Sequence, residues 1–415
     1  MNKLIVAAAG VCAALPVCAQ SPQKVHPPVA QFWMDAATHS LSLPGVEEME
    51  GDSPLAGMLG GAFGQARGGT GMPGKWLDSA LHTRNKPAGT QGTHAIPAAM
   101  RIASPLPLLP VTVEPGSKGG ETQEAPEKPE GRLVFYWGCG EAVRPGQPRV
   151  LDFSKAAPEE FGKFMTGRHA PDRGAKAVPG RSVWPNRTST LRVPKAASLL
   201  GEHAVGGEGV PANWTFAVAP GFDFMEKVRL NAAGDPAASI PLRWQAVAGA
   251  TGYFLTAMAH RRGADGANEL ILWSSSEAPD PGWGLMNYLA PARVDKLIAE
   301  KVVLPAKTLQ CALPKAIFAG TEGAFANLIA YGPELNLAHP PRPADPKVDW
   351  KPEWTVRLRL KSTGMALLGE EAAAPGAAAD APTADERPAA GGSPATEVLK
   401  ELGNPVNILK GVFGR

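Results

Sequence analysis

The stretch WTVRLRLKS, Trp354–Ser362, alternates apolar and polar residues from end to end. Successive side chains of a β-strand point to opposite faces. Trp354, Val356, Leu358 and Leu360 therefore share one side, and Thr355, Arg357, Arg359 and Lys361 the other. This predicts a strand with one buried side and one cationic side in water, the pattern of an antiparallel sheet.

Working outward, similar short runs recur: RLVFYWG (132–138), TLRV (190–193), NWTFAVA (213–219), KVRL (227–230), IPLRWQAV (240–247), GYFLTAMAH (252–260), ELILW (269–273) and KTLQCALP (307–314). Pro and Gly bracket nearly all of them, so strands of about five or six residues are expected. Two helical pieces interrupt the series, at 158–166 and 291–301, each opened by a proline suited to the first helical position. The fold class read from this pattern is mainly β: antiparallel sandwich units with short helical insertions, a glycine-rich irregular N-terminal region and a disordered C-terminal linker.

At 240–259 the text IPLRWQAVAGATGYFLTAMA places Trp244 at a strand end, Gly249 and Ala250 in a turn, and Tyr253 at the next strand's start. This resembles a fibronectin type III module or a related immunoglobulin-like sandwich. The resemblance implies that Trp244 is a core residue between sheets and that 236–368 forms one such unit, loosely matched beyond the quoted segment. A module of this kind implies binding or scaffolding more often than catalysis, although fold does not fix function.

The ends suggest export. Residues 1–19 read as a signal peptide, with Lys3, an apolar stretch and small residues at Val17 and Ala19, cleaved near Ala19. The weaker alternative is lipid attachment at Cys18. Residues 20–113 read as an irregular Gly/Pro-rich region, with Trp76 to Leu81 forming a turn or two of helix and 96–113 extended chain ending in a strand. Residues 114–131 read as a linker, 132–232 as a first β-rich unit, and 370–394, rich in Ala and Pro, as a disordered spacer. A short helical segment is expected at 396–415.

The formal net charge is only +2 over 415 residues, which argues against a nucleic-acid binder. No later segment is long and apolar enough to span a bilayer as a helix. After cleavage the remaining cysteines are Cys139 and Cys311, expected to pair in an oxidising compartment.

GGTGMPGKWLD, Gly68–Asp78, carries the text of a phosphate-binding loop at Gly69, Gly74 and Lys75. Trp76 stands where a magnesium-binding hydroxyl is needed, and more glycine replaces the upstream strand, so no nucleotide or other cofactor is assigned. The histidines lack metal-ligand spacing, and no nucleophile elbow occurs, so no catalytic or metal residue is assigned either.

The basic segment 168–195 is the candidate contact for an anion or glycan, through Arg168, Arg173, Lys176, Arg181, Trp184 and Arg187. The expectation is an exported envelope protein that binds or scaffolds without catalysis. Its partner would be an envelope polymer, an acidic glycan or another envelope protein. The competing reading is an envelope hydrolase whose site assembles from distant residues.

Overall fold

The computed structural model describes residues 23–42, 64–67, 72–112 and 131–369 except 170 and 172. The expected signal peptide, the linker apart from Gly131, the Ala/Pro spacer and the C-terminal segment lie outside these residues. The fold is mainly β, as expected, with two short helices among the described residues.

In chain order the elements are β1 (Ala30–Ser42), β2 (Gly74–Thr83), β3 (Gly92–Ala95), β4 (Leu106–Pro110), β5 (Arg132–Trp137), β6 (Arg149–Asp152), α1 (Pro158–Met165), β7 (Ser182–Trp184), β8 (Gly201–Gly207) and β9 (Thr215–Val218). There follow β10 (Leu230–Asn231), β11 (Ile240–Trp244), β12 (Gly252–Arg262), β13 (Asn268–Ser274), α2 (Pro291–Ala299), β14 (Leu304–Pro305), β15 (Gln310–Leu313), β16 (Glu322–His339) and β17 (Trp354–Leu367).

One large mixed sheet runs β6-β5-β13-β12-β16-β17-β1-β2-β7-β4-β3-β8-β9, with β14 on the side of β12. A second sheet, β10-β11-β15, has three strands. The two share a continuous apolar core in which Phe32, Met34, Leu358 and Leu360 of the large sheet join Leu242, Trp244 and Leu313 of the small one. Trp244 is buried there, with its ring 5.5 Å from that of Tyr253. The Tyr253 hydroxyl accepts the Val247 N–H at 3.0 Å.

Several strands exceed the expected length, and β1 to β4 come from the region 20–113 that reads as irregular. β1 pairs in parallel with β17 and antiparallel with β2, placing both N-terminal strands in the middle of the sheet. Trp76 to Leu81, read as helix, belongs to β2. The residues of β1, AQFWMDAATHSLS, hide their period because both sides are covered: ten of its thirteen positions are buried. A strand buried on both sides loses the polar half of the alternation that reveals strands in sequence.

β16 is eighteen residues long although Gly332-Pro333 reads as a terminator. The register against β17 shifts between Tyr331 and Glu334, so the pair sits in a bulge. Proline lacks an N–H, and a bulge removes the need for one. TLRV (190–193) forms no strand, only an isolated bridge from Val193 to Lys75. Both helices appear where expected, within a residue or two at each end.

Candidate functional site

Register decides which side chains meet on the side of the central strands away from the shared apolar core. Asp78 of β2, Asp35 of β1, Arg359 of β17 and Glu334 of β16 stand opposite one another in one row. Trp76, Ala37, Lys361 and Tyr331 form the next row. Ala80, Trp33, Arg357 and Asn336 form the row on the other flank. Cross-strand neighbours of this kind lie about 5 Å apart, so the cations of β17 reach the acids of β1 and β2.

The expected wet cationic side of Trp354–Ser362 is corrected here. Arg359 is 4% exposed and Lys361 0%. Asp35, itself fully buried, receives Arg359 through two parallel hydrogen bonds, Nε to Oδ1 at 2.7 Å and Nη2 to Oδ2 at 2.6 Å. The Ala175 N–H at 3.0 Å and Arg67 Nε at 3.4 Å complete the shell of Oδ2. The Tyr288 ring lies under both cations, 4.5 Å from Arg359 Cζ and 4.9 Å from Lys361 Nζ. Such a planar bidentate pair offsets part of the large desolvation cost of its charges.

Residues Gly64 to Arg67 lie across this row and are held to it by their backbone. The Gly64 N–H donates to Asp78 Oδ1 at 3.0 Å, and Lys361 Nζ donates to the Arg67 carbonyl at 2.8 Å. His39 Nε2 bonds the Gln65 carbonyl at 2.9 Å, and the Tyr288 hydroxyl donates to that of Ala66 at 3.1 Å. Because a carbonyl can only accept, His39 carries its proton on Nε2, and its Nδ1 accepts from Thr363 at 2.6 Å.

Burial dominates the acid–base behaviour of this cluster. It pushes the Asp78 carboxyl up to about 7, reinforced by the nearby Asp35 charge and opposed by the Gly64 N–H. It lowers the Lys361 ammonium to about 7, with Asp35 opposing, and His39 to about 3. Asp78 Oδ2 has no hydrogen-bond partner among the described residues, consistent with a carboxyl that resists ionisation.

Two adjacent carboxylates resemble an acid–base pair, but the packing leaves no place for a substrate. A methyl group at Gly174 would overlap both Arg359 and Asp35. Asp35 is spoken for by its arginine, and Asp78 is sealed beneath Gly64. Among the described residues this cluster is internally paired and closed to solvent.

The neighbouring row, by contrast, opens to solvent. A groove of about 580 Å³ is lined by Gln31, Trp33, Asn336 and Arg357 from the strands and by Arg342 and Trp350 from the connection before β17. Arg342 Cζ lies 5.6 Å from the Trp350 ring centre, and Trp350 Nε1 donates to the Pro340 carbonyl at 3.0 Å. Arg357 bonds Asn336 at 3.0 Å and Glu334 at 3.1 Å.

The basic segment is only partly gathered here. Arg173 gives its carbonyl to Arg357 at 3.0 Å, and Arg181 stacks on Trp33 with Cζ 3.9 Å from the ring centre, so both stand at the groove's shoulder. Arg168 is held elsewhere by Asp280 at 3.2 Å and Glu300 at 2.7 Å. Arg187 bonds Thr112, and Lys176 is half-buried. Trp184, read as loop-borne and available, is a fully buried residue of β7 whose indole N–H goes to Ser189. Its neighbours are apolar core, so it offers nothing to a ligand.

Arg342, Trp350, Trp33, Asp35 and Asp78 escaped the sequence reading. The acids had one usable signal: each stands within an apolar run, WMDAA and WLDSA, where an exposed side chain is out of place. Cys139 and Cys311 stand at disulfide distance, with Cα atoms 5.2 Å apart. Lys75 donates to the Ala197 carbonyl at 2.7 Å and lies over Phe224, in contact with protein rather than poised over an open loop. Among the described residues no group of three or more His, Cys, Asp or Glu is arranged to hold a metal ion.

Comparison with protein-family models, curated proteins and solved structures finds no match to this chain.

Proposed function

We propose that this is an exported envelope protein that binds an acidic glycan without catalysis, through the groove formed by Trp350, Arg342 and Arg357. The observation that carries this reading is the combination of the Trp350 indole, guanidinium groups and the amides of Gln31 and Asn336 along one open groove, floored by the buried Trp33. Indole faces suit the apolar faces of sugar rings, arginines suit carboxylates, and amides suit hydroxyls. The leader-like residues 1–19, with cleavage near Ala19, support export to an envelope compartment, and the Cys139–Cys311 pair fits such surroundings.

The fibronectin type III-like reading of 236–368 gains support from the way β10-β11-β15 packs against β13-β12-β16-β17 across Trp244. In that reading the binding groove straddles the module's last strand and β1, which extends its sheet. The hydrolase alternative has no comparable support among the described residues, because the buried pair Asp35 and Asp78 is covered and Cys139 stands at disulfide distance from Cys311.

Titration calorimetry with a uronate oligosaccharide and its neutral counterpart tests the proposal. The acidic ligand is expected to bind, and Trp350→Ala and Arg342→Ala each to weaken it about tenfold, equivalent to about 1.4 kcal/mol. Equal binding of the two ligands, or indifference to both substitutions, overturns it.

A further inference from the structure

A second surface, at the opposite end of the large sheet, has the makings of a protein contact. β6 is the terminal strand there, and among the described residues no strand pairs with its outer edge. The Phe153 N–H bonds the Gly131 carbonyl at 2.9 Å, which makes that a hydrogen-bonded pair of the antiparallel ladder with β5. Such pairs alternate, so Leu151 and Arg149 bond inward while Val150 and Asp152 turn their backbone groups outward. The Asp152 carbonyl is taken by the N–H groups of Lys155 and Ala156. The Val150 N–H and carbonyl and the Asp152 N–H are left facing the edge.

α1 lies beside this edge and turns it into a groove of about 570 Å³, with Leu151, Ala156 and Phe164 among its walls. Exposed edges are normally blunted, because they template pairing with other chains. This one is short and carries Arg149 and Asp152, yet between them it presents Val150, 53% exposed, and beyond it Phe161, 41% exposed.

Charge selects the occupant. Arg149, Lys155 and Lys163 line the groove with Asp152 and Glu160, and both acids are already engaged. Asp152 pairs with Arg132 and Lys155 and accepts from Ser154, while Glu160 accepts the Ala157 N–H at the start of α1. Arg149 lies over the Trp137 ring and Lys155 pairs with Asp152, whereas no ion pair among the described residues engages Lys163.

We infer that the groove between β6 and α1 receives an extended acidic peptide of a partner protein, added to β6 as a further strand with an apolar side chain set against Leu151 and Phe164. Main-chain bonds to Val150 and Asp152 supply affinity, and the alternate side chains supply selectivity.

Fluorescence anisotropy on the full chain tests this with a short labelled peptide of alternating Val and Glu, its Lys counterpart, and an N-methylated form that cannot pair as a strand. The Glu peptide is expected to bind, the N-methylated form about tenfold more weakly, and Lys163→Glu to weaken binding by a similar factor. Absent binding, equal binding of the Glu and Lys peptides, or indifference to N-methylation overturns the inference. Self-association of the protein that competes with the peptide overturns it in favour of a second copy at this edge. The N-methylated ligand keeps the result decisive even if a variant fails to fold.

Discussion

Leu358 and Arg359 are consecutive residues of one strand, they point in opposite directions, and both are buried. The two sides of β1 and β17 therefore bury comparable side chains by different physics. Around Leu358 the core is apolar, contacts are non-directional, and neighbours of roughly equal volume can replace one another. Around Arg359 each charge depends on a named partner: Asp35 on the strand, Tyr288 beneath, Arg67 and Ala175 above. Such a network is secure when complete and costly when one member is missing.

The largest effect that sharpens this contrast is expected at the ion pair. Asp35→Ala should destabilise the fold by about 3–5 kcal/mol, because it strands Arg359 uncompensated in the interior. Gly174→Ala should approach the same loss by driving a methyl group into the pair. Urea unfolding midpoints measure both, and replacing Asp35 and Arg359 together by Leu and Met should recover much of the loss. If the double replacement is as damaging as Asp35→Ala alone, the two sides are not governed by different rules.

Leu358→Ala comes next, at about 2–5 kcal/mol, with the value set by how far the shared core can collapse around the cavity. A smaller effect depends on pH. The folded protein holds a proton on Asp78 up to about pH 7, whereas the unfolded chain releases it near the ordinary 3.8. Asp78 therefore contributes full stability below the unfolded value, and this is lost as pH rises from about 4 through 7.

Lys361 has the complementary behaviour: its ammonium, lowered from 10.5 to about 7, makes stability recover as pH rises between those values. Asp78→Asn should flatten the fall between pH 4 and 7 and leave the variant more stable than the parent at pH 8, by something on the order of 2 kcal/mol. Unfolding midpoints across pH provide the check, and an unchanged slope would mean that Asp78 is ionised throughout. At the open end of the same side, Arg342→Ala should change stability by less than about 0.5 kcal/mol, the usual range for a surface substitution. Such a variant separates the groove's binding role from the network's structural one.

How much was legible follows the same division. β5, β9, β11, β12, β13, β15 and β17 announce themselves by alternation or by a short apolar run between Pro and Gly. β1 and β2 do not, because both of their sides are covered and their acids sit inside apolar text. The continuity of β16 was hidden by Gly332-Pro333, which only the register identifies as a bulge. Of the basic segment, Arg173 and Arg181 contact groove residues Arg357 and Trp33, while Trp184 goes to the core because β7 pairs with β2 and β4. Asn336, Trp350 and Arg357 come from β16, β17 and their connection, but Trp33 is remote in the chain and nothing local ties it to them.

The alternation of Trp354–Ser362 by itself determined that this segment is a strand and that its leucines and its cations point opposite ways, since a period of two follows from backbone geometry alone. Whether the cationic side meets water or protein was decided only by tertiary structure. Distant acids on β1 and β2, a tyrosine before α2 and the backbone of residues 64–67 had to arrive together to make burial of Arg359 and Lys361 bearable. Pairing between remote strands carries no local signature, so that outcome belongs to the fold.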